Sequence, residues 1–199
     1  MPDFLHGEAL VFFGALILFV NKKLLYEDNR IGWIYGAIGI TCLTPYVLNE
    51  KLITLTLYHV FLLVLIAYGY YLTTTHSKGL SKLTQRNVKF GIIAFAFVAC
   101  VVLTLRTFTD SKFSLLQLLQ CTFGLGGSFF LAYEQSSRKK LGWIANGVSH
   151  IVAAWILFHL PNPIPAREVA TFQILSMYYS YRGVKKHSKK ITDSADVPT

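Results

Sequence analysis

Residues 30–36 read Arg30-Ile31-Gly32-Trp33-Ile34-Tyr35-Gly36, and residues 140–146 read Lys140-Leu141-Gly142-Trp143-Ile144-Ala145-Asn146. Each stretch runs basic, aliphatic, then Gly-Trp-Ile, and the two lie 110 residues apart. The same ungapped offset pairs Phe13, Gly14 and Phe19 with Phe123, Gly124 and Phe129, and Leu65, Tyr68 and Tyr71 with Leu175, Tyr178 and Tyr181. Isolated phenylalanine or leucine matches arise by chance in apolar sequence. A Gly-Trp-Ile triplet followed both times by tyrosines 35 and 38 residues after the tryptophan marks an internal repeat.

Outward from these stretches the chain is a succession of apolar runs. A bilayer core of ~30 Å needs ~20 residues of helix, because no water there can satisfy a bare backbone amide. Seven runs approach this length: 8–22, 31–48, 53–72, 88–105, 113–133, 141–160 and 166–181. Polar or turn segments separate them, among them Glu27-Asp28-Asn29-Arg30 and Pro161-Asn162-Pro163-Ile164-Pro165, where proline stops a helix. Lysine and arginine alternate in abundance from one connection to the next, fifteen on one side and four on the other. Basic connections stay in the cytoplasm, so the amino terminus is expected outside and the carboxyl terminus inside. The first eight residues carry no lysine or arginine, unlike the start of a cleavable leader, so the first run is expected to remain as a helix.

The repeat unit holds three runs, and an odd number of spans inverts a second copy unless one further helix intervenes. Run 88–105 is that helix. The fold class expected is an all-α integral membrane protein of seven transmembrane helices, with two parallel three-helix bundles joined by a linker helix. The units are residues 1–76, the linker 77–112, the second bundle 113–187, and a disordered cytoplasmic tail 188–199. Two like-oriented bundles about an axis along the membrane normal leave a central path, the architecture of a carrier that rocks one half against the other.

Composition excludes other classes. Of 199 residues 53% are hydrophobic and 15% charged, wrong for a soluble domain. The net charge of +9 sits in short clusters between apolar runs rather than on a basic face, so no nucleic-acid partner is expected. Basic residues 182–190 would meet anionic lipid. Cys42, Cys100 and Cys121 fall inside apolar runs without metal spacing and read as packing residues. His59, His150 and His159 form no HxxxH or HExxH pattern, and no span holds an aspartate, so neither enzyme, metal nor cofactor is expected.

The chain resembles the PnuC family of nicotinamide riboside transporters, which share a full-length SWEET-like arrangement. The resemblance lies in Glu8 opening the first run, Ile31-Gly32-Trp33-Ile34-Tyr35-Gly36, Lys51-Leu52, and Tyr68-Gly69-Tyr70-Tyr71, and it recurs over residues 128–143, where an apolar run ends in Arg138-Lys139-Lys140. In the sixth run only Trp143 stands where the family carries two tryptophans, and Asn146 and Gly147 occupy the place of its aspartate. The resemblance implies facilitated diffusion of nicotinamide riboside or a close vitamin B3 nucleoside across a bacterial inner membrane. A SWEET-like carrier of another small neutral solute and, from a different class, an intramembrane hydrolase stay as alternatives, and homo-oligomerisation stays open.

Polar side chains inside lipid are candidate site residues, because each costs free energy unless it faces a cavity or a partner. Gln117, Gln120, Cys121, Gly124 and Ser128 share one face of the fifth run. Gly124 and Ser128 also suit close helix contact, whereas the glutamines are too large for it. Trp143, Asn146, Gly147 and His150 form one stripe of the sixth. Tryptophan offers a flat surface to an aromatic base and asparagine both a donor and an acceptor for a carboxamide or ribose hydroxyls. Trp143 and its counterpart Trp33 equally suit interfacial anchors, and His150 an interhelical bridge. Tyr58 and His59 in the third run and Gln173 in the seventh, beside Ser176, complete the candidate substrate-binding set.

Overall fold

The computed structural model describes residues 2–75, 114–132, 135–160 and 163–195. These form α1 (Pro2–Tyr26), α2 (Ile31–Asn49), α3 (Ile53–Thr75), α4 (Ser114–Leu131), α5 (Ser136–Phe158) and α6 (Pro163–Ala195), with no strand among the described residues. The expected fourth span, the linker 77–112 and Cys100 lie outside them. Four stretches are long and apolar enough to cross a membrane: Gly7–Tyr26, Ile31–Asn49, Ile53–Thr74 and Ser136–Phe158. Leu115–Leu131 is a shorter apolar helix.

Two helix ends differ from the expected boundaries. α1 continues one turn past Lys22 to Tyr26, and α6 continues past 181 to Ala195, so residues 188–195 of the expected tail are helical. A hydropathy window stops at the first charge, but a backbone that keeps its intrahelical hydrogen bonds does not.

The α1–α2 and α2–α3 connections are tight because each begins with the same helix-ending motif. Asp28 (φ 59°) and Lys51 (φ 57°) take the left-handed conformation. Asn29 N donates to Leu24 O and Asp28 N to Leu25 O, while Leu52 N donates to Val47 O and Lys51 N to Leu48 O. These are Schellman pairs, which satisfy the last carbonyls of a helix and reverse the chain. Asn29 Oδ1 then accepts from Ile31 N at 3.0 Å, capping the first turn of α2.

The helices close into a ring. α1 packs against α2 and α6, α2 against α3, α3 against α4, α4 against α5, and α5 against α6. Among the described residues the backbone of α1 stays clear of α3 and that of α4 of α6, which leaves space at the centre of the ring.

The repeat is visible in the crossings. Gly14 and Gly39 let α1 and α2 meet backbone to backbone: a Cβ on Gly39 would lie 3.0 Å from Gly14 O. At the same offset Gly124 and Ser149 meet where α4 crosses α5, a Cβ on Gly124 lying 3.0 Å from Ser149 Oγ. The tryptophans are equivalent as well. Trp33 packs on Gly69 of α3 and Trp143 on Gly183 of α6, one helical turn beyond the position that the offset marks. Both rings are buried, at 3% and 1% exposure, because each fills the notch of a missing side chain. Buried rings of this kind are not interfacial anchors.

The exterior is largely apolar, while a set of polar side chains turns inward among the buried apolar ones. Ile38, Val60, Ile144, Ile151, Trp155 and Ile174 are exposed, while Asn21, His59, Gln120, Asn146, Ser149 and His150 are buried. This arrangement suits a surface solvated by acyl chains, where the hydrophobic effect rewards no burial of leucine and polar groups must turn inward.

Candidate ligand cavity

At the centre of the ring lies a cavity of about 100 Å³, lined by side chains from all six helices. Of the candidate residues Trp33, Tyr58, His59, Gln120, Asn146, His150 and Gln173 line it. Gln117 is buried but lies off the lining. Trp143 is also outside it, packed on Gly183, and lines a separate cavity of about 30 Å³ with Trp33, Asp28 and Lys139.

Local folding fixes the polar groups. Asn146 lies on the inner stripe of α5, where its Nδ2 donates to Gly142 O at 3.0 Å and its Oδ1 accepts from Lys22 Nζ at 2.7 Å. An ammonium has only donors, so this contact also settles which end of the amide is oxygen. Ser149, one turn on, donates to Gln120 O at 3.0 Å and ties α5 to α4. In α3 His59 Nδ1 lies 3.1 Å from Thr44 Oγ1, whose hydroxyl donates to Ile40 O at 2.8 Å. With its one proton spent, Thr44 accepts from His59 Nδ1–H. His150 Nδ1 meets Gln173 Oε1, which can only accept, so this ring too is protonated at Nδ1.

Three buried polar atoms of the lining have no partner among the described residues: the Tyr46 hydroxyl and two acceptors, Gln120 Oε1 and His150 Nε2. With Nδ1–H committed to Gln173, a neutral His150 presents Nε2 as an acceptor. Buried acceptors without donors are costly, so these two acceptors mark where a ligand's hydroxyl or amide hydrogens belong.

Sequence reasoning missed Asn21 and Lys22. Both line the cavity, and Asn21 Nδ2 donates to Gly32 O at 2.7 Å. By the alternation of basic residues alone, Lys22 counts with Lys23 and Arg30 among the cytoplasmic charges of the first connection. The available signal was length: a first span of 8–22 is too short for a bilayer, and one more turn carries Lys22 inside.

At the end of the ring that holds residues 26–31, a charged clasp joins the α1–α2 turn to α5 and α6. Asp28 accepts from Lys139 Nζ at 2.5 Å and from Lys186 Nζ at 2.8 Å. Lys186 Nζ also donates to Tyr26 O at 2.6 Å, and Arg182 stacks over the Tyr26 ring with its Cζ 5.5 Å from the centroid. Burial alone would raise the Asp28 carboxyl, but the hydrogen bonds and charges of Lys139 and Lys186 override it and hold the group at about 2. Part of residues 182–190, read from sequence as facing lipid, thus binds the α1–α2 turn.

The inner wall thus presents aromatic side chains, amides and histidines beneath an apolar exterior. A model of the nicotinamide mononucleotide transporter family matches residues 8–185. The chain belongs to that family. It is therefore a multi-pass membrane transporter of the nicotinamide mononucleotide and riboside type and not an enzyme. The match takes in residues from all six described helices and the lining of this family member's central cavity. No curated protein and no solved structure matches the chain.

Proposed function

We propose that the transporter moves nicotinamide riboside, or a close pyridine-nucleoside analogue, down its gradient by alternating access. The observation that carries this reading is the central cavity, to which both repeats contribute aromatic and hydrogen-bonding side chains. Trp33 and Tyr58 offer ring faces to a pyridine, and Gln120 Oε1 and His150 Nε2 offer acceptors to ribose hydroxyls or a carboxamide. Trp143 and Gln117 are buried packing residues outside the lining in this reading.

Two like-oriented three-helix bundles, with span 88–105 restoring direction between them, would rock about the cavity. The Asp28 clasp bridges the halves at one end, where it would close the path on the side of the basic connections. The positive-inside asymmetry supports a cytoplasmic position for that side and an outside amino terminus, in what the reading takes to be a bacterial inner membrane. Oligomerisation is compatible with the apolar exterior.

Reconstituted vesicles test the reading. Labelled nicotinamide riboside, nicotinic acid riboside or nicotinamide mononucleotide should accumulate until inside and outside concentrations match. Uptake of none of them above empty vesicles would contradict it.

A further inference from the structure

Lys22 is the one charged side chain lining the cavity among the described residues. An ammonium inside a membrane span costs several kcal/mol unless it has a partner or a task. Its partner here is a neutral amide, Asn146 Oδ1 at 2.7 Å, and no carboxylate of the described residues lines the chamber to balance the charge. The amide is held in place by its own bond to Gly142 O, so Lys22 is aimed as well as anchored. That bond uses one of three N–H donors, and among the described residues the other two have no acceptor.

We propose that Lys22 is a specificity-determining residue of this cavity, selecting ligands of the pyridine-nucleoside class that carry an anionic oxygen group. The inference rests on the carrier reading above and deepens it. An N-glycosyl pyridinium is a fixed cation, and an unbalanced ammonium in the same poorly screened chamber repels it. A carboxylate on the pyridine ring, or a phosphate on the ribose, supplies the opposite charge and the acceptors that the two remaining N–H groups require. The aromatic faces and the acceptors Gln120 Oε1 and His150 Nε2 hold the rest of the ligand, so Lys22 ranks members of the class without defining the class.

Three ligands separate the terms. Nicotinic acid riboside differs from nicotinamide riboside by a carboxylate in place of the carboxamide, and nicotinamide mononucleotide differs from it by a phosphate. Calorimetric titration of the purified full chain in detergent should show at least one of the two anionic ligands binding about tenfold or more tighter than nicotinamide riboside, the scale of a charge-assisted hydrogen bond. The stronger of the two identifies whether carboxylate or phosphate meets Lys22. In K22Q that ratio should collapse to about one, and in K22R, which keeps the charge, it should persist.

Nicotinamide riboside binding as tightly as both anionic ligands, or a ratio unchanged in K22Q, overturns the inference while leaving the carrier reading in place. Binding of none of the three removes both. Where K22Q does not yield monodisperse protein, the wild-type ranking and K22R decide.

Discussion

Lys22 and Asn146 stand 124 positions apart in sequence, yet the ammonium of one donates to the amide oxygen of the other at 2.7 Å, joining α1 to α5 inside the cavity. Removing the amide leaves the charge without its protein acceptor. Asn146→Ala should therefore destabilise the protein by ~1.5–3 kcal/mol, and Lys22→Gln in the same chain should restore part of that loss. Thermal unfolding of the two single variants and the double variant in detergent measures the coupling. Strict additivity would show that the contact contributes nothing.

Trp143 separates packing from ligand contact. Its ring is 1% exposed and seated on Gly183, outside the lining of the central cavity. Trp143→Ala should cost ~3–5 kcal/mol of stability, as expected for deleting a buried aromatic ring. Affinity of the folded fraction for a pyridine nucleoside should stay within about twofold, which titration of monodisperse protein reads directly. A large affinity loss at unchanged melting temperature would place the ring in the binding site.

The seat itself makes a paired prediction. A Cβ on Gly183 would overlap the Trp143 ring, whereas a Cβ on Gly126 would meet nothing within 4 Å. Gly183→Ala should therefore lose ~1–3 kcal/mol through forced displacement of the ring. Gly126→Ala should be neutral or gain up to ~1 kcal/mol from helix propensity. Equal melting temperatures for the two variants would contradict the packing described.

Stability should fall with acid in two stages, the upper with a contribution from His187 and the lower with one from Asp28. Burial foremost, then the Lys139 charge, pushes His187 from 6.5 to about 4, so folding favours its neutral ring. The stabilisation tied to that ring is complete above the ordinary value and is lost as pH drops from 6.5 towards 4. Asp28 is depressed from 3.8 to about 2, so its ion pairs hold above 3.8 and fail as pH drops towards 2. His187→Gln should flatten the upper stage of a melting-temperature profile and Asp28→Asn the lower. Profiles of both variants superimposing on wild type would refute the assignment.

Much of this arrangement was legible in the sequence because repeats and apolar length are one-dimensional signals. Gly-Trp-Ile at residues 32–34 and 142–144 marked the repeat, and the Gly14–Gly39 and Gly124–Ser149 crossings are its physical content. The inner stripe of α5 was legible for Asn146 and His150, since 3.6-residue periodicity fixes a face. Periodicity fixes no depth, so Trp143 on that stripe could not be told from a cavity residue until Gly183 was seen beneath it. Lys22 was hidden for another reason: composition assigns charge to connections, and only the path of α1 carries this one inward. The clasp at Asp28 depends on Lys139 and Lys186, which no local pattern links to residue 28.

Gln120 offers the most direct test that the central cavity is the ligand site. Its Oε1 is buried, lines the cavity and has no partner among the described residues. Gln120→Leu removes that unpaired acceptor, so a purely structural role predicts equal or higher stability and unchanged affinity. The carrier account predicts a melting temperature that does not fall, together with affinity for the best-bound pyridine nucleoside weakened about tenfold, read by calorimetric titration. Wild-type affinity in Gln120→Leu would contradict it.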